Sequence, residues 1–164
     1  KKFGLEWIIR ITADCPIVDP RESIKVVKLL RSGNIDYVAL DEKTYPDGLD
    51  TEGFTFESLE IAWKNAKLKS EREHVTPYIK KEKNKFKKKI IPYSKNLSHF
   101  RFTVDYKEDL ELLEHILINL KNKKIIHLND IVKIVEKNPE LIKINSFHKR
   151  NEGYKISVKN DKKN

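Results

Sequence analysis

The chain has 164 residues, 38% of them hydrophobic, with a single Cys and no Met, and its 34 Lys+Arg against 25 Asp+Glu give a net charge of +9. One globular domain of this size buries roughly 70% of its unfolded surface, and a lone cysteine builds no disulfide framework, so a disulfide-dense secreted mini-protein is excluded. Apolar runs reach only about three residues where a membrane helix needs about 20, and no basic-then-apolar leader opens the chain, so no membrane insertion and a cytoplasmic location are expected.

The chain lacks a starting Met, and Lys1 and Lys2 lead almost at once into a strand pattern, which creates the expectation that a further segment precedes Lys1. Residues 7–12 (WIIRIT) are β-branched and aromatic and are stopped by Asp14 and Pro16, as a strand ending in a turn would be. After Pro20, the residues Ile24, Val26, Val27, Leu29 and Leu30 fall at helical spacing up to Ser32-Gly33. Residues 35–40 form a second short strand, and DEKTYPDGLDTEG after it is the most irregular loop of the chain. Phe54 and Phe56 alternate with Thr55 ahead of a helix with Leu59, Ala62, Trp63 and Ala66 on one face. Ser70 and Glu73 have capping-box spacing, so a helix is expected to begin there and to bend or shorten at Pro77.

Charge is concentrated in residues 80–89, where seven Lys and one Glu give +6, and in residues 159–164, which add +2. The central cluster holds no Arg and one aromatic, Phe86, so it reads as a solvated, mobile connection and not as a specific nucleic-acid surface. Polyanion binding by phosphate attraction alone is the competing reading. Residues 90–93 and 99–104 look like an antiparallel pair of strands. Leu110, Leu113, Ile116, Leu117 and Leu120 are amphipathic with period 3.6. Asn129 is placed to cap a shorter helix through Lys137, ended by Asn138-Pro139. Residues 154–158 read as a closing strand before a disordered basic tail over 159–164. Strands and helices alternate first and then mix with antiparallel pairing, which predicts an α/β domain over residues 1–158, with three layers around a mixed sheet.

Cys15 is alone, and the five His (74, 99, 115, 127, 148) show neither HxxxH nor CxxC spacing, so no zinc site is expected. Cys15, between Asp14 and Pro16, reads as a small turn residue before it reads as a nucleophile. Neither GxSxG nor GxGxxG occurs. Asp14 and Asp105 each lie directly after a predicted strand, and in open sheets with helical crossovers ligands collect beyond the carboxyl ends of strands. Two such carboxylates could share one Mg²⁺, a hard cation that completes its shell with waters and substrate phosphates. Equally, Asp14 could serve its turn and Asp105 could cap the helix of Leu110. Residues 45–52 (YPDGLDTE) set Asp47, Asp50 and Glu52 around Gly48, a density suited to hydrogen-bonding the hydroxyls of a polar ligand. A plain exposed turn would have the same composition.

RITADCPIVDP, YPDGLDTEGF, REHVTPYI, RFTVDYKEDLELL and finally NPEL followed by NEGY occur in that order across residues 7–158. Together they resemble the spore-coat polysaccharide type of cytidylyltransferase, related to the enzymes that make CMP-linked acidic sugars, such as CMP-acylneuraminate and CMP-ketodeoxyoctonate synthetases. The resemblance implies a three-layer α/β/α nucleotide-diphospho-sugar transferase fold with a mixed, mostly parallel sheet. It implies Mg²⁺ on the acidic residues of the TADCP-like and VDxxEDL-like motifs, here Asp14 and Asp105. The DGLD-type loop would lie by the sugar, with Asp47, Asp50 and Glu52 near the acceptor and Arg72 and His74 joining from the next block. The implied reaction transfers CMP from CTP to a sugar, giving a CMP-sugar and pyrophosphate for surface polysaccharide or glycoconjugate synthesis. The family's opening strand and Gly/Arg-containing phosphate loop have no counterpart before Trp7, and Tyr106-Lys107 stands where members often have Thr-Pro. The alternative is a non-catalytic binding or scaffold domain on the same fold. Apolar faces left uncovered by an absent opening segment would invite association into a homodimer.

Overall fold

The computed structural model describes residues 2–162. Trp7–Arg10 forms β1. The helix α1 (Pro20–Arg31) follows, with Asp19 accepting the Arg21 N–H at 2.8 Å and Pro20 in the first turn, where no N–H is needed. β2 (Tyr37–Leu40) is buried along its whole length, and the loop 41–51 returns the chain to β3 (Glu52–Thr55). Thr55 Oγ1 then caps α2 (Phe56–Asn65) by accepting the Ser58 N–H at 3.1 Å.

Two short helices succeed it, α3 (Lys69–Glu73) and α4 (Pro77–Lys80). Glu71, not Glu73, organises the start of α3: its carboxylate accepts the N–H groups of Lys67 and Leu68, leaving Ser70 inside the helix. Pro77 opens α4 instead of bending its predecessor. A 3-10 turn at Glu82–Asn84 leads to β4 (Lys88–Ile91). The longer helices α5 (Lys107–Leu120) and α6 (Leu128–Lys137) precede a 3-10 segment at Pro139–Ile144, and α7 (Glu152–Asp161) comes last.

The sheet order is β1-β3-β2-β4. It is mixed, as expected. The expected parallel majority is corrected, since β3 runs antiparallel to both β1 and β2 and only β2 and β4 are parallel. The reason lies in the connections: the loop 41–51 carries no helix and turns the chain straight back, whereas α2 to α4 supply the crossover that a parallel pair requires.

Layering follows from the period of two along β2. Val38 and Leu40 face a core with Val26 and Leu30 of α1, Leu112, Leu113 and Ile116 of α5, and Ile131 and Val135 of α6. Tyr37 and Ala39 face a second core with Phe54, Ala62 of α2 and Ile79 of α4. Helices therefore cover both faces, giving the α/β/α arrangement.

Three further expectations are corrected. Residues 98–99 are a turn closed by Phe100 N–H on the Leu97 carbonyl (3.0 Å), and residues 100–104 make one isolated bridge, Asp47 with Arg101, because their backbone groups are taken by loops. Phe102 N–H donates to the Asp47 carbonyl (2.7 Å) and Val104 N–H to that of Asp14 (2.9 Å). Residues 154–158 are helical within α7, which runs on to Asp161, so residues 159–161 of the expected tail are helix; residues 163 and 164 lie outside the described residues. The basic stretch 80–89 is folded into α4, the 3-10 turn and β4, and Lys80, Lys81 and Lys88 pair with Glu52, Glu71 and Glu82. Among the described residues no helix is long and apolar enough to cross a membrane.

Candidate active site

An open cleft of about 870 Å³ is lined by Asp14, Asp47, Asp50, Glu52, His74 and Asp105, gathered from four separate stretches of chain. Asp14 lies in the turn after β1, as expected, whereas Asp105 follows a segment that forms no strand and is therefore not at a strand exit. The Asp14 carbonyl accepts both the Val104 N–H (2.9 Å) and the Thr103 hydroxyl (3.0 Å), which ties the turn after β1 to the segment that carries Asp105.

Asp105 does not cap α5; the buried Asp109 does, its carboxylate accepting the N–H groups of Asp105 (3.0 Å) and Tyr106 (3.1 Å). Arg101 grips Asp109 bidentately at 2.8 Å on both arms, reaches Asp47 at 2.9 Å and Asp105 at 2.7 Å, and so links the acidic loop to α5. Asn145 completes the Asp109 shell at 2.9 Å. Burial works against ionisation of Asp109, but Arg101 and these amide donors outweigh it and hold its carboxyl below the usual carboxylate range. Burial likewise disfavours the charged Arg101, and the carboxylates around it more than compensate. Half of the Asp105 side chain stays exposed, with one oxygen engaged by Arg101.

The acidic loop turns at Gly48, whose φ is +93° and where an added Cβ would stand 2.3 Å from the Phe102 carbonyl carbon and the Thr103 nitrogen. Asp50 accepts the Gly48 N–H at 3.1 Å and pairs with Arg150 at 2.6 Å. Asp47 is buried, and burial foremost, against the pull of Arg150 and Arg101, pushes its carboxyl up to about 6. Glu52 is fully coordinated, by Tyr37, Thr76, Lys80 and Arg10. His74 lies 3.2 Å from the Ser157 hydroxyl and meets the Tyr154 ring edge-on at 5.1 Å. Arg72 does not reach the cleft: it is exposed and donates to the Trp63 carbonyl at 3.2 Å. Cys15 is a buried turn residue whose thiol is pushed up to about 12 by burial, with Thr12 pulling the other way, so it carries no thiolate at neutral pH.

Arg10, Lys80, Arg101, Asp109 and Arg150 were not singled out from the sequence. Arg101 and Asp109 do flank Asp105 at four-residue intervals inside the quoted RFTVDYKEDLELL block, which is the signal that could have found them.

The donor chemistry suits a hard divalent cation. Among the described residues no three His, Cys, Asp or Glu side chains gather as a metal cluster. Mg²⁺, however, takes one or two carboxylates and fills the remaining octahedral positions with water and phosphate oxygens. Asp14, whose only side-chain partner among the described residues is the Cys15 thiol at 3.7 Å, and the half-exposed Asp105 meet that need.

The cytidylyltransferase family model matches residues 1–146. An uncharacterized protein of Methanocaldococcus jannaschii is 39% identical over 153 residues, covering 89% of this chain and 60% of the relative. A solved cytidylyltransferase structure from Leptospira borgpetersenii serovar Hardjo-bovis aligns with a TM-score of 0.79 at 30% identity, over 86% of this chain and 60% of that one. The chain spans about 60% of the length of these two relatives. With the family model running from the first residue through the acidic loop, the REHVTP block and the Arg101 network, the chain belongs to the cytidylyltransferase family.

Proposed function

We propose that this protein is a cytidylyltransferase of the spore-coat polysaccharide type, moving CMP from CTP to a hydroxyl of an acidic sugar in the making of a surface polysaccharide or glycoconjugate. The observation that carries this reading is the meeting of Asp14 and Asp105 in one cleft, together with the family membership. The acceptor oxygen bonds to the α-phosphorus of CTP, the bond to the bridging oxygen breaks, pyrophosphate departs with that electron pair, and the hydroxyl proton passes to water. Asp14 and Asp105 would hold Mg²⁺, which when bound neutralises phosphate charge and orients the reacting oxygens. Arg101 keeps Asp105 aimed into the cleft, and the Asp47–Asp50 loop, fixed by Gly48 and Arg150, forms the acceptor wall. Positioning and charge neutralisation supply most of the rate in such a transfer.

Pyrophosphate release from CTP with a panel of sugar acids tests the reading. Asp14→Asn and Asp105→Asn should each lower the rate by about a hundredfold or more while leaving the unfolding midpoint nearly unchanged. Unchanged rates in both variants would overturn the metal assignment.

A further inference from the structure

Glu52 holds two cations on its two oxygens. Arg10, the last residue of β1, stands 2.8 Å from one, and Lys80, the last residue of α4, 2.5 Å from the other. The Tyr37 hydroxyl (2.5 Å) and the Thr76 hydroxyl (3.0 and 3.1 Å) complete its shell. Burial pushes the Glu52 carboxyl up, but Lys80, Tyr37 and Arg10 outweigh it and keep the group ionised. Glu52 therefore has no oxygen to offer a ligand; its part is to fix the two cations.

Those cations, by contrast, have donors to spare. Arg10 uses one guanidinium nitrogen on Glu52 and, among the described residues, has no other hydrogen-bond partner. The Lys80 ammonium pairs, among the described residues, only with Glu52 and lies 5.7 Å over the Tyr37 ring. Both line the cleft, with side chains 30% and 51% exposed. Two positive charges against one negative leave a single positive charge facing the ligand space.

The surroundings hold this geometry. Val75 sits at φ +67°, a strained backbone for a β-branched residue, and Thr76 N–H donates to the His74 carbonyl (2.8 Å) in a γ-turn that delivers the Thr76 hydroxyl to Glu52. Lys88 donates to the Lys80 carbonyl at 3.0 Å and secures the end of α4.

We propose that Arg10 and Lys80 form the subsite that receives the carboxylate of the acceptor sugar, with Glu52 as its positioning residue; this rests on the transferase reading above. The planar guanidinium fork matches a carboxylate, and the single surplus charge matches its single negative charge. A triphosphate would bring several negative charges against Glu52 with too few cations to offset them.

Two sugar acids, N-acetylneuraminate and ketodeoxyoctonate, are titrated against the protein beside their methyl esters, with CTP as a third ligand. The protein should bind at least one acid more tightly than its ester. Arg10→Gln and Lys80→Met should each cut that preference about tenfold or more, with CTP affinity unchanged. No preference in the unaltered protein, a preference that survives both substitutions, or a loss falling on CTP instead overturns the assignment. Should either variant fail to fold, the ¹⁵N signal of the Arg10 guanidinium in the unaltered protein decides: it must shift with the acid and not with the ester. Pyrophosphate release measured alongside separates the two readings. Turnover without acid preference overturns this subsite and leaves the transferase standing, and acid preference without turnover does the reverse.

Discussion

Asp47 combines burial with two guanidinium partners, and burial prevails, leaving its carboxyl at about 6 against an ordinary 3.8. Because the folded protein binds this proton more tightly than the unfolded chain, the stability it contributes is present below about pH 4 and is lost as the pH rises through 6. The difference in unfolding free energy between the protein and Asp47→Asn should therefore fall from pH 4 to pH 6; a flat difference would contradict the buried assignment. Asp105 follows no strand and reaches the cleft through the ties of Thr103 and Val104 to the Asp14 carbonyl, so only Asp14, in the turn after β1, was legible from a strand exit. The saturation of Glu52 was not, since its partners Arg10 and Lys80 come from β1 and α4 and meet it only once the chain is folded. Arg72, read from its neighbourhood in the REHVTP block, falls on the outer side of a one-turn helix and bonds back to α2.

Helix α5 was readable because its apolar residues repeat over 14 positions, with Leu112, Leu113, Ile116 and Leu120 buried in one core while Leu110 and Leu117 of the expected stripe stay exposed. Helix α7 was not, because the alternation of Tyr154, Ile156 and Val158 with polar residues imitates a strand, and no residue of the helix is buried. What holds α7 is polar and distant: Asp161 accepts from the Ser70 hydroxyl and N–H, and Ser157 donates to Glu73 while lying beside His74. Asp161→Ala should accordingly speed amide exchange across residues 152–161 several-fold and leave α5 untouched. Equal protection in both forms would show that α7 is held by something else. The segment 99–104 failed as a strand for a related reason: its sequence favours extended backbone, but its hydrogen-bond partners are two turns, at Asp14 and Asp47, and not a neighbouring strand.

At the scale of the whole molecule, the sheet with a core on each face was foreseeable from the alternation of strands and helices, and strand order and direction were not, because pairing across dozens of residues leaves no local trace. The charge map could not be foreseen either. A chain of net charge +9 builds a cleft lined by nine carboxylates and four Lys or Arg side chains, so its positive excess lies elsewhere. The carboxylates at the Asp14 and Asp105 end invite a divalent cation. Mn²⁺, a paramagnetic stand-in for Mg²⁺, added in small amounts with CTP to ¹⁵N-labelled protein, tests this directly. The amide signals of Asp14 and Cys15 should broaden together with those of Asp105 and Tyr106, before any others. Broadening at one of the two positions without the other, or at neither, would contradict a shared metal site.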